Sequence, residues 1–160
     1  MSVIIGIDPG QSGGLGAIDG NGGYLDSMLM PVLVVSPTLK AMDVVRIMEW
    51  LGGLNTSGEE GVRIYIEQVS SRPCEGVKSV FSFGVGYGGL LAVAALSRHP
   101  YELVTPNKWK KALGLNSDKM LSLGRARALW PDAPLGRMKD EGVAEALLLA
   151  EYARTKLVNA

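Results

Sequence analysis

Four acidic residues occupy places where an apolar chain has little use for charge. Asp8 ends the apolar run Val3-Ile4-Ile5-Gly6-Ile7, and Glu67 ends Arg63-Ile64-Tyr65-Ile66. Consecutive apolar and β-branched residues of this kind read as buried strands. A buried strand end tolerates an ionised carboxylate only when something pairs with it, because desolvating the charge costs several kcal/mol. Glu141 and Glu145 stand four apart at the start of the closing segment Lys139–Leu148. On a helix they share one face, where like charges repel, and the helix N-terminus offsets only part of that repulsion. Taken singly, Asp8 can open a turn, Asp140 can cap a helix and Glu145 can face solvent. Taken together, the four carboxylates ask for a cation. Hard oxygen donors without His or Cys suit Mg²⁺, with Mn²⁺ as a substitute. Four such groups can hold two ions about 4 Å apart, the arrangement that hydrolyses phosphodiesters by in-line attack of water.

Several elements must position these acids. Strands are expected at Val3–Ile7, Leu15–Ile18, Tyr24–Met30, Arg63–Glu67 and Tyr101–Thr105. Asp19-Gly20-Asn21-Gly22-Gly23 is a hairpin turn. Helices are expected at Lys40–Leu51, stopped by Gly52-Gly53, and at Val77–Leu96. Three more follow at Asn107–Leu113, Asp118–Trp130 and Asp140–Lys156. Hairpins first and crossovers later imply an α/β chain with a mixed β-sheet flanked by helices. With 160 residues, 47% of them hydrophobic, a single domain over 1–160 with a substantial core is expected.

Composition narrows the function classes. Cys74 is the one cysteine, which excludes an internal disulfide and a Cys-based zinc site and suits a reducing cytoplasm. No signal peptide is expected, and no apolar stretch is expected to approach the length of a membrane span. The net charge is zero, but its distribution is uneven. Residues 1–62 hold the acids Asp8, Asp19, Asp26, Asp43, Glu49, Glu59 and Glu60 against Lys40 and Arg46. Residues 98–139 hold the bases Arg98, Lys108, Lys110, Lys111, Lys119, Arg125, Arg127, Arg137 and Lys139 against Glu102, Asp118 and Asp132. A basic face for nucleic acid is compatible with that asymmetry, as are solvated helix faces.

The motifs carry a family likeness. Ile5-Gly6-Ile7-Asp8-Pro9-Gly10 is similar to the opening of the RuvC-type Holliday-junction resolvases, within the RNase H superfamily, and the chain resembles their phage and organellar-like branch. Tyr65-Ile66-Glu67-Gln68-Val69, then Arg72-Pro73, Gly76-Val77, Ser79 and Phe81-Ser82-Phe83-Gly84, resembles the second motif. Thr105-Pro106, Trp109-Lys110, Asp118-Lys119, Leu129-Trp130-Pro131 and the closing run Lys139–Leu148 follow in family order. The resemblance implies an RNase H-like fold, a homodimer, Mg²⁺ dependence and paired nicking of four-way DNA junctions. It implies metal binding by Asp8, Glu67, Glu145 and one acid just before Glu145. The family often places that acid three residues earlier, where this chain has Gly142. Glu141 is then the fourth ligand by helix geometry, with Asp140 in reserve. The resemblance also implies a lysine near the catalytic centre, matched by Lys119.

For DNA contact the candidates are Arg72 and Lys78, placed after Glu67, and Lys108, Lys110 and Lys111 on the short helix after Pro106. Phe81 or Phe83 can stack on an unpaired base or pack in the core, and Trp109 is expected to be buried. The implied partners are branched DNA and a second copy, with no membrane, and a cytoplasmic setting such as a phage-infected bacterial host. Gly84-Val85-Gly86-Tyr87-Gly88-Gly89 fits a dinucleotide fingerprint but follows no strand; it reads better as small residues at a close helix–helix contact, of the kind a dimer interface can use. Ser and Cys lack a histidine partner for covalent catalysis, and His99 has no assigned role. Two rival functions remain. Gly6–Gly10 with Ser12-Gly13-Gly14 also resembles the first phosphate loop of actin-like ATPases and sugar kinases, and a junction-binding protein without catalysis is the other.

Overall fold

The computed structural model describes residues 2–54, 61–70 and 76–158. Its centre is a five-stranded sheet of order β3-β2-β1-β6-β7. The strands are β1 (Val3–Asp8), β2 (Gly14–Asp19), β3 (Tyr24–Leu29), β6 (Val62–Glu67) and β7 (Tyr101–Val104). β1, β2 and β3 pair antiparallel, whereas β6 runs parallel to both β1 and β7. Between β3 and β6 lie a separate hairpin, β4 (Val32–Ser36) with β5 (Leu39–Met42), and the helix α1 (Val44–Gly53).

Side chains alternate across a strand, so each strand feeds two cores. Val3, Ile5, Ile7, Val62, Ile64 and Ile66 face one layer, with Ile47 and Leu51 of α1 and Leu90, Val93 and Ala94 of α2 (Val77–Leu96). Ile4 and Tyr65 face the other. That layer contains α3 (Pro106–Ala112), α4 (Lys119–Leu129) and α5 (Glu141–Val158), which is preceded by a 3-10 turn at Met138–Asp140. Asp8 and Glu67 share the parity of Ile4 and Tyr65. The period-two rule therefore sends both carboxylates toward α5.

α5 is buried without interruption from Gly142 to Ala150. Burial of Leu147 and Leu148 contributes about 1.5–3 kcal/mol each. Close approach requires glycine beneath it: a Cβ on Gly6 would lie 1.9 Å from the Ala146 carbonyl oxygen. β1 and α5 thus touch backbone to backbone, which fixes how deep the helix start sits.

Two expectations need correction. The helix expected from Lys40 begins at Val44, because Leu39–Met42 is β5, paired with β4. The Asp43 carboxylate accepts from the Arg46 amide at 3.0 Å and starts the helix there. A helix-like spacing of apolar residues does not reveal that its first turn is held by a strand partner. Second, α2 spans 20 residues and is long and apolar enough to cross a membrane, against the expectation that no stretch approaches that length. Here it is a docked helix: Gly86, Leu90, Val93 and Ala94 pack inward, while Val77, Phe81, Val85 and Leu96 remain exposed. The glycine-rich run lies within α2 and not after a strand, and a Cβ on Gly84 or Gly88 would meet nothing within 4 Å.

Candidate active site

β1 and β6 are parallel neighbours, and Ile7 pairs with Ile66. One residue on, Asp8 and Glu67 stand side by side at the carboxyl ends of two central strands. β7 carries the chain from Val104, opposite Glu67, straight into α3. That connection brings Trp109 under Glu67. The indole is fully buried, and its Nε1–H donates to Glu67 Oε2 at 2.8 Å. A buried indole N–H needs an acceptor; here the acceptor is a strand-end carboxylate that is itself only 9% exposed.

The start of α5 supplies the facing side. Glu145 is 8% exposed. Its Oε1 accepts from Lys110 Nζ at 2.7 Å and from Ser122 Oγ at 3.3 Å. Glu141, one turn earlier, is paired with Lys119 at the head of α4. Asp118 caps that helix, accepting from the Met120 amide at 2.9 Å, and so sets where Lys119 begins. Lys110 also lies 5.1 Å from the centre of the Trp109 ring.

Asp8 registers the electrostatic cost. Removal from water, then repulsion from Glu67 and Glu145, raises its carboxyl from 3.8 to about 7, with Lys110 and Lys119 opposing the rise. Lys119 is pushed upward, chiefly by its hydrogen bond to Glu141, and stays charged. Asp8, Glu67 and Glu145 are thus electrostatically coupled, and two ammonium groups partly neutralise the cluster.

Asp140 is placed differently. It is 2% exposed and accepts from the Arg137 amide at 2.8 Å, Nε at 3.2 Å and NH2 at 2.7 Å. These contacts hold its carboxyl below the usual range, the side-chain bond from Arg137 being the main cause. Its oxygens close the turn that leads into α5. Gly142 has a steric explanation. A Cβ there would lie 2.4 Å from the Ser12 carbonyl oxygen and 2.6 Å from Gly13, with which Gly142 forms a bridge. No side chain fits at that position, so an acid on this face must come a residue earlier, at Glu141.

The donor set suits a hard divalent cation: oxygen ligands and negative charge that the lysines only partly balance. Among the described residues, no three His, Cys, Asp or Glu side chains are grouped so as to hold one ion in their present positions. Lys110 and Lys119 take the oxygens of Glu145 and Glu141 instead.

The expected DNA-contact residues scatter more widely. Arg72 lies outside the described residues. Lys78 and Phe81 are exposed at the start of α2. Phe83 is half-buried and stacked on Tyr87, with ring centres 6.1 Å apart. Lys108 faces Glu102 at 4.0 Å, Lys111 is exposed, and Lys110 points into the acid cluster. Sequence reasoning missed the Trp109 and Ser122 donors. The one available signal was that a buried tryptophan must place its N–H somewhere.

No protein-family model matches the chain, and no curated protein matches it. Solved structures do. The chain is similar to Thermus thermophilus RuvC in complex with Holliday junction substrate, with a TM-score of 0.71 and 18% identity over 99% of this chain and 96% of that one. It is also similar to the Thermus thermophilus RuvC structure, with a TM-score of 0.62 and 24% identity over 98% of this chain and 96% of that one. In its mixed five-stranded sheet and flanking helices, from end to end, this chain has the RNase H-like fold of RuvC.

Proposed function

We propose that this protein is a structure-specific DNA endonuclease that resolves four-way junctions by paired, Mg²⁺-dependent nicks. One observation carries the reading. Asp8, Glu67 and Glu145 come together at the carboxyl ends of parallel strands, in a fold shared over its whole length with a RuvC solved in complex with Holliday junction substrate. Nothing observed favours the ATP-binding or non-catalytic alternatives.

Asp8, Glu67, Glu141 and Glu145 are the residues that would hold the metal, with Asp140 in reserve. When bound, Mg²⁺ supplies water activation and charge stabilisation at the leaving oxygen. Trp109 keeps one oxygen of Glu67 oriented. Lys110 and Lys119 balance Glu145 and Glu141 in the free chain, and a cation competes with them for the same oxygens. Arg72, Lys78, Lys108 and Lys111 would hold phosphates, and Phe81 or Phe83 would stack at the junction. The exposed apolar side of α2 supports a homodimer, since Val77, Phe81 and Val85 recur at helical spacing. Two-fold symmetry would then pair the cuts. The setting is the cytoplasm of a host bacterium, with the chain as a phage product.

The test is cleavage of a labelled synthetic four-way junction in Mg²⁺, beside linear duplex. Glu67→Gln abolishes cleavage, while junction binding in Ca²⁺ persists. Cleavage by that variant at the normal rate would refute the metal assignment.

A further inference from the structure

The β4–β5 hairpin has no place in the active-site account, yet it forms one wall of a wide surface groove. The opposite wall is the turn that leaves Asp8, through Gln11 and Ser12. The start of α2 forms the floor. The hairpin is held over that floor by packing of β5 on α2. Ser82 Oγ donates to the Lys40 carbonyl oxygen at 3.3 Å, and Met42 meets Gly86 so closely that a Cβ there would lie 3.4 Å away.

The groove has a volume of about 930 Å³. Its polar lining is of one kind. Ser36 and Thr38 at the hairpin tip, Lys40 on β5 and Lys78 on α2 face it with Gln11 and Ser12, and among the described residues no Asp or Glu lines it. Lysines with hydroxyl and amide groups are the side chains that hold a sugar–phosphate backbone without reading bases. Gly10, Gln11 and Ser12, which follow Asp8 in the chain, line the groove, so a strand lying in it passes beside the turn that leaves Asp8.

We infer that the β4–β5 hairpin and the Asp8 turn together clamp one DNA strand by its phosphates, with Lys40 as a phosphate contact that positions the strand for cleavage. The inference rests on the junction-nuclease reading. It assigns to the hairpin a share of the phosphate contacts beside Lys78 of α2.

The experiment measures binding of a fluorescent four-way junction in Ca²⁺ by anisotropy across a salt series, for wild type, Lys40→Ala, Lys40→Arg and Lys156→Ala. Lys156 pairs with Glu102, and neither residue lines the groove. Lys40→Ala is expected to bind about 3- to 10-fold more weakly, with the slope of log affinity against log salt reduced by about one. Lys40→Arg restores both, and Lys156→Ala changes neither. Melting temperature and light-scattering mass stay at wild-type values, because Lys40 is exposed. Wild-type affinity and slope in Lys40→Ala overturn the inference while leaving the nuclease reading intact. A changed mass in Lys40→Ala shows that a second copy fills the groove, and also overturns it. A wild-type protein that binds no junction removes the functional reading and this inference with it.

Discussion

Asp8→Asn should stabilise the metal-free protein at pH 8 and leave it unchanged at pH 3, below the unfolded value. Asp8 binds its proton more tightly in the folded chain than in the unfolded one, at about 7 against 3.8. The stability this contributes is complete below the unfolded value and is lost as pH rises through about 7. At pH 8 both states are ionised, and the folded state bears the whole cost of the buried charge. At ~1.4 kcal/mol for each tenfold change in proton affinity, the ceiling is roughly 4 kcal/mol. Asp8 is half-buried, and water that still reaches it reduces the expected gain to roughly 2 kcal/mol. For a chain of this length, each kcal/mol moves the melting temperature by about 2–4 °C. The variant should therefore melt about 4–8 °C above wild type at pH 8, by roughly a third of that at pH 5, and at the same temperature at pH 3. The assay is thermal unfolding followed by circular dichroism in a chelating buffer at low salt, at half-unit steps of pH. Other titrating groups cancel in the difference. Added Mg²⁺ should raise the wild-type melting temperature at pH 8 and leave Asp8→Asn almost unmoved. A difference that is constant with pH, or a variant less stable at pH 8 than wild type, would refute the reasoning.

Trp109→Phe keeps the ring and removes the N–H that holds Glu67 Oε2. It should cost about 1–3 kcal/mol and shift the Mg²⁺ concentration needed for half-maximal cleavage upward, measured by titration; an unchanged requirement would mean the indole serves packing alone. Gly142→Ala meets backbone at Ser12 and Gly13, and denaturant unfolding should show a loss of about 1–3 kcal/mol. Asp140→Asn should lower stability through Arg137 while leaving the Mg²⁺ dependence of cleavage intact, whereas Glu141→Gln should shift it. The Asp140 contribution has the opposite sign from Asp8: its carboxyl lies below the usual value, so that stabilisation is present above the ordinary range and is lost as pH falls through the lowered one.

The sequence alone was sufficient for features set by local pattern. Asp8 and Glu67 follow apolar runs that can only be buried strands, and both strands are observed. The pairing of Glu141 with Glu145 needs only the helical repeat, and α5 begins at Glu141. The mixed sheet and its flanking helices followed from the order of strands and helices. What the tertiary structure decided involves residues far apart in the chain. Burial of Glu145 depends on α5 resting against glycines of the sheet, which no helix pattern reveals. Trp109 reaches Glu67 because β7 lies beside β6, and Lys110 turns inward because Glu145 arrives from thirty-five residues later. Lys40 belongs to a strand because its partner Val34 lies across a tight turn, where apolar spacing alone reads as helix. In sequence, Glu141 ranks above its neighbour Asp140 only by helix geometry. The two separate in space because Arg137 takes the oxygens of Asp140, while the backbone at Ser12 and Gly13 leaves no room for a side chain at Gly142.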